Sequence, residues 1–246
     1  MTTYAILQDM SLCIECQACR VACQMQNQLA PAEAFIRYRF AESGTYPRVA
    51  YHVARLTCFH CQDAPCVDAC PTYATYKART KLTHHDPEQC SSCGRCAEAC
   101  PFGHPVLHNG KMLRCTGCPE FTKKGKEPAC VGTCITGALS FGPRQEMLAR
   151  AERRVRALKG RYPDAQVYSP EGVGGTGLIW VLRERPEVYG LPAAPTAAAG
   201  FNLLRAAVQP AGTAPMAAAA LLAGAVGWVI DRRETLRAAE KEVKRS

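Results

Sequence analysis

Sixteen cysteines crowd into four short runs between Cys13 and Cys134, and none follows. The runs are Cys13-x2-Cys16-x2-Cys19-x3-Cys23, Cys58-x2-Cys61-x4-Cys66-x3-Cys70, Cys90-x2-Cys93-x2-Cys96-x3-Cys100 and Cys115-x2-Cys118-x11-Cys130-x3-Cys134. Cysteines three apart on one turn are poorly placed to bridge each other, yet well placed to converge on a shared ligand. The repetition therefore excludes a disulfide scaffold and demands a fold that gathers thiolates around inorganic groups.

Soft thiolates select iron–sulfur, zinc or Cu(I), so number and spacing must decide. Runs one and three match the bacterial ferredoxin pattern; runs two and four are that pattern with an insertion after the second cysteine. In it, three thiolates on a tight loop hold one cluster, and the fourth cysteine, opening a helix, ligates the other cluster of a pair. Structural zinc takes two cysteine pairs and has no use for ligands continuing at +3 and +7 four times over. A zinc-stapled interaction module is the remote alternative.

Sixteen thiolates for four [4Fe-4S] clusters leave none spare, which favours electron transfer over substrate chemistry. Runs two and three are close in sequence (Cys70 to Cys90), so they pair as an inner module, residues 57–105, and runs one and four enclose it as an outer module. The sites are then Cys13, Cys16, Cys19 with Cys134; Cys23 with Cys115, Cys118, Cys130; Cys58, Cys61, Cys66 with Cys100; and Cys70 with Cys90, Cys93, Cys96. Spacing alone leaves open the other pairing, one with two and three with four. The eleven residues inside run four read as a surface excursion.

The formal charge of +9 fits this chemistry, because four thiolate-bound clusters at about −2 each nearly cancel it. Lys111, Arg114, Lys123, Lys124 and Lys126 read as local compensation, and without basic–aromatic interleaving no nucleic acid is expected. Gly172 to Gly177 satisfies a G-x-G-x-x-G pattern, but the bulky run LIWVL follows where a dinucleotide site needs a helix, so no nucleotide is expected. His60 lies inside a complete cysteine set and reads as a neighbour of the site or an exposed side chain, not a ligand. His84, His85, His104 and His108 show no metal spacing. No catalytic residue can be named.

Around the runs, FIRYRF and RVAYHVARL flank ESGTYP as a hairpin. Pro143 to Lys159 reads as an amphipathic helix burying Met147, Ala151, Val155 and Leu158, with a solvated Arg-rich face. The domain plan is a four-cluster domain over 1–142, then a helix and extended Gly/Pro-rich segment over 143–200 that lies on the core or a partner. An uncharged stretch over 206–231 is long enough for a single transmembrane helix, and the basic tail over 232–246 sets its cytoplasmic end. The fold class is α+β: two ferredoxin-like dicluster modules in one domain, followed by that helix. The N-terminus shows no signal peptide, so a domain outside the inner membrane, on the periplasmic side, would cross with an exported partner.

The four-run pattern resembles the iron–sulfur subunits of molybdopterin oxidoreductases, which include dimethyl sulfoxide, polysulfide and nitrate reductases. KEPACVGTCITGALSFGPRQEMLARAERRV, YSPEGVGGTGLIWVL and PEVYGLP narrow it, and with the apolar C-terminal stretch closely resemble the β subunit of membrane-bound respiratory formate dehydrogenase. Ile135 departs from the family, where Pro is usual. The resemblance favours the outer-pair ligation and implies a large molybdopterin catalytic subunit facing the Cys13 site. It implies electron passage through the Cys23 and Cys58 sites in turn, and exit from the Cys70 site. The exit leads to a membrane b-type cytochrome and quinone in anaerobic respiration. Molybdopterin and haem belong to the partners. The same relay in a sulfur-compound reductase is the rival reading.

Overall fold

The computed structural model describes residues 2–196. The stretches over 206–231 and 232–246, with the membrane helix and tail expected there, lie outside the described residues; among the described residues no helix is long and apolar enough to cross a membrane.

Along the chain, β1 (Tyr4–Asp9) leads into the first cysteine run and α1 (Ala18–Gln26). Strands β2 (Arg37–Thr45) and β3 (Arg48–Leu56) form the expected hairpin, Arg37 opposite Leu56 and Thr45 opposite Arg48. Next come α2 (Pro65–Asp68), the ribbon β4 (Thr75–Lys77) and β5 (Thr83–His85), α3 (Arg95–Glu98), and the ribbon β6 (Val106–His108) and β7 (Lys111–Leu113). Then follow α4 (Pro119–Thr122), α5 (Ala129–Gly132), β8 (Leu139–Pro143), α6 (Arg144–Leu158), β9 (Gln166–Tyr168) and β10 (Leu178–Leu182).

One four-stranded sheet, in the order β8-β1-β10-β9, organises the rest. Its middle pair, β1 and β10, is parallel, with Ile6 opposite Leu178; both outer pairs are antiparallel. β10 is fully buried from Leu178 to Leu182, which is why its sequence is an unbroken apolar run instead of an alternating one. Ala5, Leu7, Ile179 and Val181 point to one face, where α6 covers them with Met147, Ala151, Val155 and Leu158, the four residues expected there. Ile6, Leu178, Trp180 and Leu182 point to the other, toward the cysteines. Phe59, inside run two, stacks between Phe102 and Trp180 and ties the inner module to that face. Strands from within 1–142 and from within 143–200 thus share one sheet.

The helices follow the cysteines with one rule. The third cysteine of every run is the second residue of a short helix: Cys19 in α1, Cys66 in α2, Cys96 in α3 and Cys130 in α5. The fourth follows one turn later, inside α1 or just past the others. The expectation that the fourth cysteine opens the helix is therefore corrected: the third opens it. Four residues on, the chain has completed about one turn, and the fourth thiol emerges beyond a different cavity from the third.

Candidate metal centres

The C-x2-C step is built identically four times. Its second intervening residue is left-handed in each run: Glu15 (φ 60°), His60 (φ 50°), Ser92 (φ 53°) and Gly117 (φ 77°). That turn aims the residue's own N–H back at the first cysteine: His60 donates to Cys58 Sγ, Ser92 to Cys90 Sγ and Gly117 to Cys115 Sγ, each at 3.4 Å. Burial raises the Cys13 thiol, and the Glu15 N–H pulls it back down in the same way. A left-handed non-glycine residue costs about 1–2 kcal/mol. Three such residues at equivalent positions indicate a backbone shaped for sulfur that carries charge.

These loops bring the cysteines into four sets. Cys13, Cys16, Cys19 and Cys134 line one cavity. Cys23, Cys115, Cys118 and Cys130 line a second. Cys70, Cys90, Cys93 and Cys96 line a third. Cys61 is raised by burial and then by Cys58, Cys66 and Cys100, which sets those four thiols against one another. The outer grouping has a visible cause. β1 pairs antiparallel with β8, Gln8 opposite Leu139, so Cys13 and Cys134 leave the same end of the sheet. The α1 and α5 helices then pack together beside them.

Exposure ranks the sets. Cys16 and Cys93 are exposed, one in the first cavity and one in the Cys70 cavity, whereas the other two sets hold no exposed cysteine. Two sets therefore reach the surface and two are interior. Burial first, then facing thiols, push Cys23 and Cys118 well above the usual thiol range and Cys130 up to about 11. Crowding four thiolates out of water is unfavourable unless a metal binds them, because coordination deprotonates a thiol outright. Cys70 differs: burial raises it, but the N–H groups of Thr75, Thr72 and Ala74 with the Thr72 hydroxyl outweigh this and hold it low.

Two buried guanidiniums stand between the sets. Arg55, 2% exposed, donates to Cys19 Sγ at 3.3 Å and to Gln8 Oε1 at 2.8 Å, and it borders both the Cys13 and Cys23 cavities. Burial works against its charge, but the Cys130 and Cys19 thiolates hold it protonated. Arg114, 0% exposed, donates to Thr75 Oγ1 at 3.0 Å and Cys66 Sγ at 3.6 Å. Burial opposes its charge too, and Cys66, Cys58 and Cys96 overcome it. The expected compensating group is thus corrected in part. Lys123, Lys124 and Lys126 are exposed on the run-four excursion, Lys111 pairs with Glu33 at 3.0 Å, and only Arg114 of the five touches a cysteine set. Charge compensates effectively where solvent is excluded.

Sequence reasoning missed Arg55, Tyr38 (hydroxyl 3.0 Å from Cys19 Sγ) and the burial of His84, His85 and His104. A guanidinium three residues before Cys58, on the apolar strand β3, was the available signal. His84 bonds Thr122 Oγ1 at 3.2 Å and His85 bonds Thr75 Oγ1 at 3.1 Å. The Gly172–Gly177 loop runs into β10 with Gly174 and Gly175 left-handed, a strand entry and not a helix start.

The description "4Fe-4S dicluster domain" matches residues 49–144, taking in runs two, three and four. The nitrate-inducible formate dehydrogenase iron–sulfur subunit of Escherichia coli (strain K12) is 36% identical over 248 aligned positions, covering 92% of this chain and 83% of the relative. The chain belongs to the formate dehydrogenase iron–sulfur subunits. The Haemophilus influenzae subunit of that name is 34% identical over 88% of this chain and 77% of the relative. A component of the E. coli anaerobic dimethyl sulfoxide reductase is also 34% identical, but the match covers 59% of this chain and 76% of that relative. The fold is accordingly a ferredoxin-like 4Fe-4S dicluster domain of mixed α and β content, and members of the family are electron-transfer subunits, not catalytic ones.

Proposed function

We propose that this chain holds four [4Fe-4S] clusters and relays electrons from a formate-oxidising molybdopterin subunit to a membrane b-type cytochrome and quinone. The single observation that carries it is the grouping of sixteen cysteines into four sets of four. The donor chemistry fits the group. Each first thiolate receives a backbone N–H, each module has one buried guanidinium, and solvent is shut out of the interior sets. In the Cys70 cavity, His85 Nε2 is buried with no partner. Because Thr75 Oγ1 accepts from Arg114, its hydroxyl proton goes to His85 Nδ1 and the ring proton of the neutral imidazole falls on Nε2, a donor that a sulfide would accept. Bound there, a cluster supplies one-electron exchange without bond-making at carbon. The chain's own residues set the terms: thiolates grip, amide and guanidinium donors stabilise added negative charge, and the packed apolar shell keeps water away.

The surface-reaching sets are the terminals of the relay. Ile14 (62% exposed), which borders the Cys13 cavity, and Ile135 (75% exposed), next to Cys134, rim that end with apolar surface suited to the catalytic subunit. The Cys70 end serves the cytochrome. The uncharged stretch over 206–231 and the basic 232–246 after it support attachment to the membrane, with the domain on the periplasmic side and the C-terminus on the cytoplasmic side. Anaerobic purification of the intact complex tests the relay. About 16 irons with acid-labile sulfide per chain, a large molybdopterin subunit and formate-dependent dye reduction are expected. About four zincs in a colourless protein would overturn it, and a sulfur-compound substrate for the co-purifying subunit would transfer the relay to the rival reductase class. Protection of the domain from external protease in spheroplasts would refute the orientation.

A further inference from the structure

His60 belongs to one module by its backbone and to the other by its side chain. It lies in the C-x2-C step of run two, where its N–H donates to Cys58 Sγ at 3.4 Å. Its ring nevertheless borders the cavity of Cys23, Cys115, Cys118 and Cys130, with Nε2 3.8 Å from Cys115 Sγ. The tautomer is fixed from behind: the Thr83 backbone N–H donates to Nδ1 at 3.1 Å, so the ring proton of the neutral imidazole sits on Nε2 and faces the sulfur. The ring has little freedom to leave. His60 is 1% exposed and left-handed, its carbonyl accepts from Gly177 N at 3.0 Å, and a Cβ on Gly177 would lie only 3.0 Å from the His60 Cβ.

We infer that His60 is a positioning residue between the interior sets, joining a Cys58 thiolate to a Cys115 thiolate through one residue and raising the potential of the Cys23/Cys115/Cys118/Cys130 cluster. The inference rests on the proposed relay and deepens it. A donor on a cluster thiolate stabilises the more negative, reduced state, so hydrogen bonds to sulfur raise the potential. The same residue supplies a bonded path between the two sets. Arg55 and Arg114 each act within one module; the His60 contacts cross from one to the other.

The test uses the intact complex carrying His60→Leu or His60→Gln, with cluster midpoints read by potentiometric titration monitored by electron paramagnetic resonance. Leucine fills the site without a donor, while the glutamine amide reaches the Nε2 position. In the leucine variant one cluster should move to lower potential and the others hold. The expected change is about tenfold in its oxidised-to-reduced ratio, ~59 mV for a one-electron couple, as a charge-assisted hydrogen bond implies. The glutamine variant should restore the wild-type value. Four unmoved midpoints in the leucine variant overturn the inference, as does equal loss of iron in both variants, which assigns His60 to folding alone. Iron lost in the leucine variant but retained in the glutamine variant supports the donor. Absence of iron from the wild-type complex would defeat the relay reading itself, a separate outcome.

Discussion

The two modules use the same parts with opposite dependence on the fold. The inner module draws both its runs from one continuous stretch, with α2 against α3, and needs little beyond that stretch to bring Cys70 and Cys100 to neighbouring cavities. The outer module draws on runs separated by the whole inner module. Its closure relies on β1 pairing with β8 and on α1 packing against α5. Their arginines cross over. Arg55 lies three residues before run two yet serves the outer module, and Arg114 directly precedes Cys115 yet serves the inner one. Each segment that leads into one module's cysteines thus carries the other's counter-charge, so neither module is electrostatically complete by itself.

The guanidiniums should give the largest effect. Removing one partner of a buried charge network costs about 3–5 kcal/mol. Arg55→Met should therefore lower the melting temperature and cost mainly outer-module iron, and Arg114→Met mainly inner-module iron. Iron analysis with cluster signals will distinguish them; loss from all four sites in both variants would show that the modules are not separable.

A smaller effect separates the C-x2-C steps. A Cβ at Gly117 would lie 2.6 Å from His84 Cδ2 and 2.8 Å from the Thr83 carbonyl oxygen, at a left-handed φ. Gly117→Ala should cost about 1–3 kcal/mol, seen as a lower denaturant midpoint for the holo complex. The equivalent inner-module step should respond the other way. Ser92 is left-handed at φ 53° without being glycine, and Ser92→Gly should relieve about 1 kcal/mol, raising that midpoint or leaving it level. A fall in the Ser92 variant would mean that the side chain contributes something the backbone does not.

The smallest effect is expected on the excursion inside run four. Replacing Lys123, Lys124 and Lys126 together by alanine should change stability by about 0.5 kcal/mol or less per site and leave iron content and midpoints in place. Moved midpoints would restore these lysines as the compensating charges and weaken the role given to Arg55 and Arg114.

Much of this molecule was written locally. The cysteine spacing defined the tight loops, because three thiolates and a helical turn are features of a dozen consecutive residues. The hairpin over 37–56 and the face of α6 were equally readable, since alternation and a 3.6-residue period are short-range signals. β1 was not read as a strand. It is six residues long, and its parallel partner β10 lies far along the chain, so nothing near Tyr4–Asp9 announces the pairing. The roles of Arg55 and His60 were hidden for the same reason: each acts on a thiol that belongs to a distant run.

The order of residues alone was enough to say that the chain gathers thiolates in fours and that three of each four come from one run. Spacing favoured one assignment of the fourth cysteine in each set and left a second open; the folded arrangement brings the first together, and it alone decides which sets are buried and which charges face them. Loop geometry is settled over a few covalent bonds, whereas grouping depends on sheet register, and charge compensation depends on exclusion of water by residues from every part of the described chain.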